Sequence, residues 1–68
     1  MQVASSNVVE IDYDDQRSVL TVTFTSGGTY EYSGVPRSVA DQVMTSGSVG
    51  STLNALVKNA GYPYTRIG

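Results

Sequence analysis

The stretch SGGTYEYSGVP, Ser26 to Pro36, combines a glycine turn, two tyrosines one residue apart and a proline placed to open a helix. Side chains alternate across a strand, so Tyr30 and Tyr32 share a face, and the hairpin loop decides which face it is. If Gly27-Gly28 form a two-residue loop, Thr25 stands opposite Tyr30 and Thr23 opposite Tyr32, and both rings join the threonines. If Ser26-Gly27-Gly28 form a three-residue loop with a bulge, Phe24 faces Tyr30, Val22 faces Tyr32, and both rings join the core. The third strand otherwise offers only Thr29, Glu31 and Ser33, which do not suit unpaired core positions. The need for one buried sheet face therefore favours the three-residue loop. Rings in that position pack through their bodies, send their hydroxyls to water or a partner, and can rim a pocket.

Working outward, VLTVTFT alternates with Leu20, Val22 and Phe24 inward and Thr21, Thr23 and Thr25 outward. Upstream, NVVEIDYDD places Val9, Ile11 and Tyr13 on one face and Val8, Glu10 and Asp12 on the other, with Asp14 to Ser18 as a turn. Downstream, Pro36 suits the first turn of a helix, because its missing N–H costs nothing there. Val35, Val39 and Val43 recur at helical spacing, with Ala40 and Met44 beside them, and that helix stops near Thr45. After the breaker TSGSVGS a second helix carries Val49, Leu53, Leu56, Val57 and Ala60, with Gly61 at its C-cap. YPYTRI is extended, since Pro63 lacks a donor and excludes Tyr62 from the helical region. The expectation is one α+β domain over residues 1–68, a three-stranded antiparallel meander covered by two helices, order βββαα. The tail leaves room for a fourth short C-terminal strand.

The 68 residues include no cysteine and no histidine, which excludes disulfides, thiolate metal sites and imidazole acid–base chemistry. Six acidic residues outnumber four basic ones, for a net charge of −2. That disfavours a broad grip on duplex DNA, which needs many phosphate contacts. Two of the cations, Lys58 and Arg66, lie near the C-terminus and make a local cationic spot. MQVASSN lacks the charged and apolar regions of a signal peptide, and no apolar run reaches transmembrane length. The expectation is a cytoplasmic protein without membrane association, cofactor or metal. A domain this small and unstapled often gains stability as a homo-oligomer.

Several constellations are candidates for binding. SGSVGST precedes the second helix, where backbone N–H groups and small residues can approach an anion. The bland reading has Ser46 or Ser48 as an N-cap and the glycines as chain breakers. Ser51 and Asn54 share a helical face and either bond a ligand together or are solvated. Tyr62, Tyr64 and Arg66 alternate on one face of the tail, able to stack a base and hold a phosphate; otherwise one ring packs and Arg66 is solvated. Asp12, Asp14 and Asp15 lack the spacing of a calcium loop and read as a solvated turn. Lys58 has no evident activating partner, so nothing supports catalysis.

SSN at 5–7, LTVTFTSGGTYEYSGVP at 20–36, SVGSTLNALVK at 48–58 and YPYTRI at 62–67 together resemble the KTSC domain, over almost the whole chain. The mark of that family is a Tyr-x-Tyr pair after a turn of the Ser-Gly-Gly type, here Tyr30-Glu31-Tyr32. The domain occurs at the C-terminus of some lysyl-tRNA synthetases and as stand-alone bacterial and phage proteins, and the resemblance implies RNA as a candidate partner. The chain departs from the family in GSTLNALVK, where the family commonly carries an aromatic and more basic residues, and this weakens a reading as an RNA-binding tail.

Together these readings point to a non-enzymatic binding module for a nucleotide-like or single-stranded nucleic-acid ligand. Its expected site is Tyr30, Tyr32, Tyr62, Tyr64, Arg66, Lys58, Ser51 and Asn54, with Tyr30 and Tyr32 also serving the core. One version is a phage-encoded anti-defence sponge that sequesters a host nucleotide signal in the host cytoplasm. The alternative is a protein–protein adaptor or inhibitor acting through exposed sheet edges.

Overall fold

A computed structural model describes residues 2, 3 and 5–68, so the reading of the first seven residues as leaderless lies partly outside the described residues. Strands β1 (Val8–Asp14), β2 (Val19–Phe24), β3 (Thr29–Ser33) and β4 (Tyr64–Arg66) form one antiparallel sheet in chain order. Between β3 and β4 come α1 (Arg37–Met44) and α2 (Val49–Leu53), and α2 runs on into a π-helical turn, Asn54–Lys58. This is the expected α+β domain, and the extended tail is its fourth strand.

The β2–β3 loop is Thr25-Ser26-Gly27, closed by Phe24 N–H donating to the Gly28 carbonyl at 2.8 Å and Gly27 N–H to the Phe24 carbonyl at 3.0 Å. Gly27 supplies the positive φ of 103° that such a loop demands. Val22 therefore stands opposite Tyr30 and Leu20 opposite Tyr32, two residues from the expected register. Because side chains alternate with a period of two, that slip leaves both rings on the core face.

A bulge in β1 overturns one expectation. Val8 pairs with Phe24 and Glu10 with Thr23, which leaves Val9 as an extra residue. The insertion reverses the parity upstream of Glu10. Val8 is consequently buried at 1% exposure while Val9 is 43% exposed, the reverse of simple alternation. Beyond the bulge, Ile11 and Tyr13 share the core face as expected, and the Tyr13 hydroxyl donates to the Val35 carbonyl at 2.6 Å.

The core sits between the covered sheet face and the helices. Val8, Ile11, Leu20, Val22 and Tyr32 pack with Val35, Ala40, Val43, Val49, Leu53 and Val57, all buried. Each such aliphatic side chain contributes about 1.5–3 kcal/mol relative to exposure. Pro36 is the residue before α1, its φ of −65° leading into the first turn.

The second helix is not uniform. Asn59 N–H donates to the Asn54 carbonyl at 2.9 Å, a five-residue step that widens the last turn. Val57 stays buried while Ala60, expected on the apolar face, is exposed beyond the turn. Gly61, with φ of 84°, then redirects the chain toward β4 as expected. Ser48 precedes α2 but makes no side-chain capping bond. Ser46 Oγ instead accepts from Ser48 N–H at 3.0 Å and lies 2.6 Å from Thr52 Oγ1, bracing the connection rather than capping the helix.

Candidate functional site

Leu20, Val22 and Ile11 are fully covered on the helix side of β1 and β2, whereas Tyr64 on the same face of β4 is 64% exposed. The cover thus stops short of the sheet's last strand and leaves a cleft of about 770 Å³. Tyr30 and Tyr32 form its floor, Tyr62, Pro63 and Tyr64 one wall, and Phe24, Ser26, Lys58 and Gly61 the rest.

The strand register builds the aromatic surface. Tyr32 stands opposite Tyr64, and their ring centroids are 5.6 Å apart. Tyr30 meets Tyr64 edge-on at 5.8 Å and Phe24 edge-on at 5.7 Å. The chain Phe24–Tyr30–Tyr64–Tyr32 is therefore continuous across three strands, with two edge-to-face contacts of the kind that aromatic quadrupoles prefer and one tilted contact. Gly28 makes room for it: a Cβ there would lie 2.8 Å from Tyr30 Cε1. Tyr62 half-buries itself against the core at the foot of the wall.

Lys58, at the end of the π-helical turn, carries its Nζ 5.2 Å from the Phe24 ring centre. It also borders a neighbouring groove of about 400 Å³ that contains Ser51, Asn54, Asn7 and Thr25. The expected site residues are thus divided. Tyr30, Tyr32, Tyr62, Tyr64 and Lys58 come together in the cleft, while Ser51 and Asn54 lie in the adjoining groove with Lys58 at the junction. Arg66 shares the cleft face by register, opposite Tyr30, but its Nε donates to the Gly68 carbonyl at 2.9 Å and the residue does not line the cleft. The sequence reading places Phe24 only in the core; its parity with Tyr30 is the sign that it also faces the cleft.

The charges are segregated. At the other end of β2, Arg17 pairs with Asp14 (2.9 Å) and Glu31 (3.4 Å), and Arg37 with Asp15 (2.7 Å) and Asp41 (3.7 Å). The Arg17 guanidinium, through its side-chain hydrogen bond, lowers the pKa of the Asp14 carboxyl. The acidic turn is thus engaged by arginines, and among the described residues no group of His, Cys, Asp or Glu is placed to hold a metal ion. Among the described residues, Lys58 is the only charged side chain lining the aromatic cleft. Burial, with smaller effects from Tyr30 and Tyr64, pushes the Tyr32 hydroxyl pKa above its ordinary value. No buried side-chain polar atom among the described residues lacks a partner, and Tyr32 lines the cleft while being 4% exposed.

Fold and cleft define a small α+β domain whose third strand floors an aromatic recess. The KTSC domain family matches residues 4–62, and the chain belongs to that family. It is 35% identical over 63 residues to a protein of Stutzerimonas stutzeri strain A1501, covering 93% of this chain and 89% of the relative. It is 37% identical over 59 residues to a protein of Tsukamurella paurometabola, covering 85% and 88%. The crystal structure of a KTSC domain protein from Yersinia pestis matches with a TM-score of 0.93 at 31% identity, over 100% of this chain and 94% of that one. Tyr30 and Tyr32 both line the cleft, and Tyr32 is at once part of the core, with Tyr30 packed against it. No helix among the described residues is long and apolar enough to cross a membrane.

Proposed function

We propose that the cleft binds a flat, anionic, nucleotide-like ligand, or the equivalent end of a single-stranded nucleic acid, and holds it without turning it over. The observation that carries this reading is the convergence of Phe24, Tyr30, Tyr32, Tyr62 and Tyr64 on one recess whose lining, among the described residues, holds a single charge, Lys58. A base stacked on such rings contributes about 1–3 kcal/mol. The Lys58 ammonium, a compact charge with three donors, suits a phosphate at the rim. Ser51 and Asn54 in the adjoining groove supply hydrogen bonds for ribose or a second phosphate. The cleft falls within the roughly 300–1,000 Å³ common for small-ligand sites. An acidic chain with one cation at the site favours a small ligand over a long polymer.

Binding without turnover amounts to sequestration, the role of a nucleotide sponge, and a phage-encoded copy would act so in its host's cytoplasm. A panel of mono-, di- and cyclic nucleotides and short single-stranded RNAs, read by thermal shift, tests the reading. At least one compound raises the melting temperature, and Tyr64→Ala and Lys58→Ala each abolish the rise. A panel that leaves melting unchanged refutes it. The second reading, an adaptor for another protein, is favoured by the exposed β4 edge; a partner whose binding survives Tyr32→Phe and Lys58→Ala but not a block of β4 would support it.

A further inference from the structure

The structure holds an edge whose chemistry matches itself. Ile67 N–H donates to the Thr29 carbonyl at 2.8 Å and Ser33 N–H to the Pro63 carbonyl at 2.8 Å. With Glu31 opposite Thr65, these alternate along the ladder, so Thr65 turns its backbone groups to β3 while Tyr64 and Arg66 turn theirs outward. All three residues of β4 are exposed. Of the three large hydrophobic side chains that stand exposed among the described residues, two, Tyr64 at 64% and Ile67 at 54%, lie on this edge.

We propose that β4 pairs antiparallel with β4 of a second copy about a twofold axis at Thr65, joining two sheets and two clefts. Tyr64 then exchanges backbone hydrogen bonds with the partner's Arg66, and Arg66 with the partner's Tyr64. On the cleft face each tyrosine ring meets a guanidinium, within the roughly 6 Å reach of a cation–π contact. On the outer face Ile67 covers the partner's Pro63, and the two Thr65 side chains meet at the axis. Moving the axis to Arg66 would set two guanidiniums directly opposite each other, so charge disfavours that register. The pairing also completes the site. Arg66 does not line its own cleft, but its partner's Tyr64 does, so each cleft gains the other copy's cation. The isologous contact uses one patch twice and closes, which stops the edge from templating further strands. It rests on strand geometry and stands whether or not the cleft takes a nucleotide.

Three preparations test it. The unaltered chain sediments at twice its chain mass. Arg66→Pro removes an outward N–H that the monomer's own ladder does not use, so it keeps its circular dichroism and sediments as a monomer. Thr65→Cys introduces the chain's first cysteine at a pair whose Cα atoms sit about 4.5 Å apart, within disulfide reach, and oxidation yields a covalent dimer. Ser38→Cys, exposed on α1, does not cross-link at a comparable rate. A monomeric mass at high concentration overturns the proposal. So does a dimer that survives Arg66→Pro, or one that Ser38→Cys captures as readily as Thr65→Cys. If Arg66→Pro fails to fold, the Thr65→Cys cross-link decides alone.

Discussion

Tyr32 stands directly opposite Tyr64 across the β3–β4 pair, one ring 4% and the other 64% exposed as residues. A single cross-strand contact of 5.6 Å thus joins the middle of the core to the open wall of the cleft. Substitutions at the two positions should separate stability from binding. Tyr32→Ala leaves a core cavity and costs about 3–5 kcal/mol by chemical denaturation. Tyr32→Phe keeps the ring, removes only the hydroxyl and costs less than about 1 kcal/mol. Equal losses for the two substitutions would show that the hydroxyl, not the ring, is what the core uses.

The same residue sets a pH dependence. Burial raises the Tyr32 pKa in the folded protein above its ordinary 10.0, so folding favours the neutral phenol. Between the unfolded and folded values the unfolded chain binds fewer protons, and stability falls as pH rises. The contribution is complete below pH 10.0 and is lost as pH climbs through the folded value. Denaturation midpoints should decline above that point more steeply in the natural chain than in Tyr32→Phe. Ultraviolet titration should show one tyrosine ionising late.

Gly28 is buried beneath the Tyr30 ring, which a Cβ would meet at 2.8 Å. Gly28→Ala therefore displaces Tyr30 from the cleft floor. The expected cost is about 1–3 kcal/mol, the usual range for overpacking, with altered ring chemical shifts at Phe24 and Tyr64. An alanine that leaves both stability and those shifts unchanged would mean the ring does not lie over the turn.

The β1 bulge predicts unequal valines. Val8→Ala removes buried methyls and costs about 2–3 kcal/mol. Val9→Ala, on the exposed side, stays within about 0.5 kcal/mol. The reverse order would restore simple alternation and eliminate the bulge.

Much of this was legible before any coordinates. Leu20, Val22 and Phe24 alternate with threonines so cleanly that β2 and its buried face followed directly. The demand for large core residues then placed Tyr30 and Tyr32. What stayed hidden has physical reasons. Val8 and Val9 are equally apolar, so alternation could not tell which one a bulge would expel. A two-residue slip at the Gly27 turn preserves parity, so face was readable where register was not. Val49, Leu53 and Val57 bury equally well on an α-helix or one widened at its last turn, which concealed the π-helical turn presenting Lys58. Arg66 was assigned to the right face by parity, but parity does not say whether a long side chain reaches a cleft or turns to the Gly68 carbonyl. Serines near a helix start suggested a cap, yet Ser46 bonds Ser48 N–H and Thr52 instead, a choice made by the loop's path.

Whether the aromatic cleft is a binding site is decided by amide and side-chain chemical shifts followed during a nucleotide titration. At least one nucleotide in the panel is expected to perturb Phe24, Tyr30, Tyr64 and Lys58 together in a saturable manner. Lys58→Ala should weaken that titration, while the paired acidic turn at Asp14 and Asp15 stays still. Saturable shifts centred elsewhere, or none at these residues with any nucleotide, would contradict it.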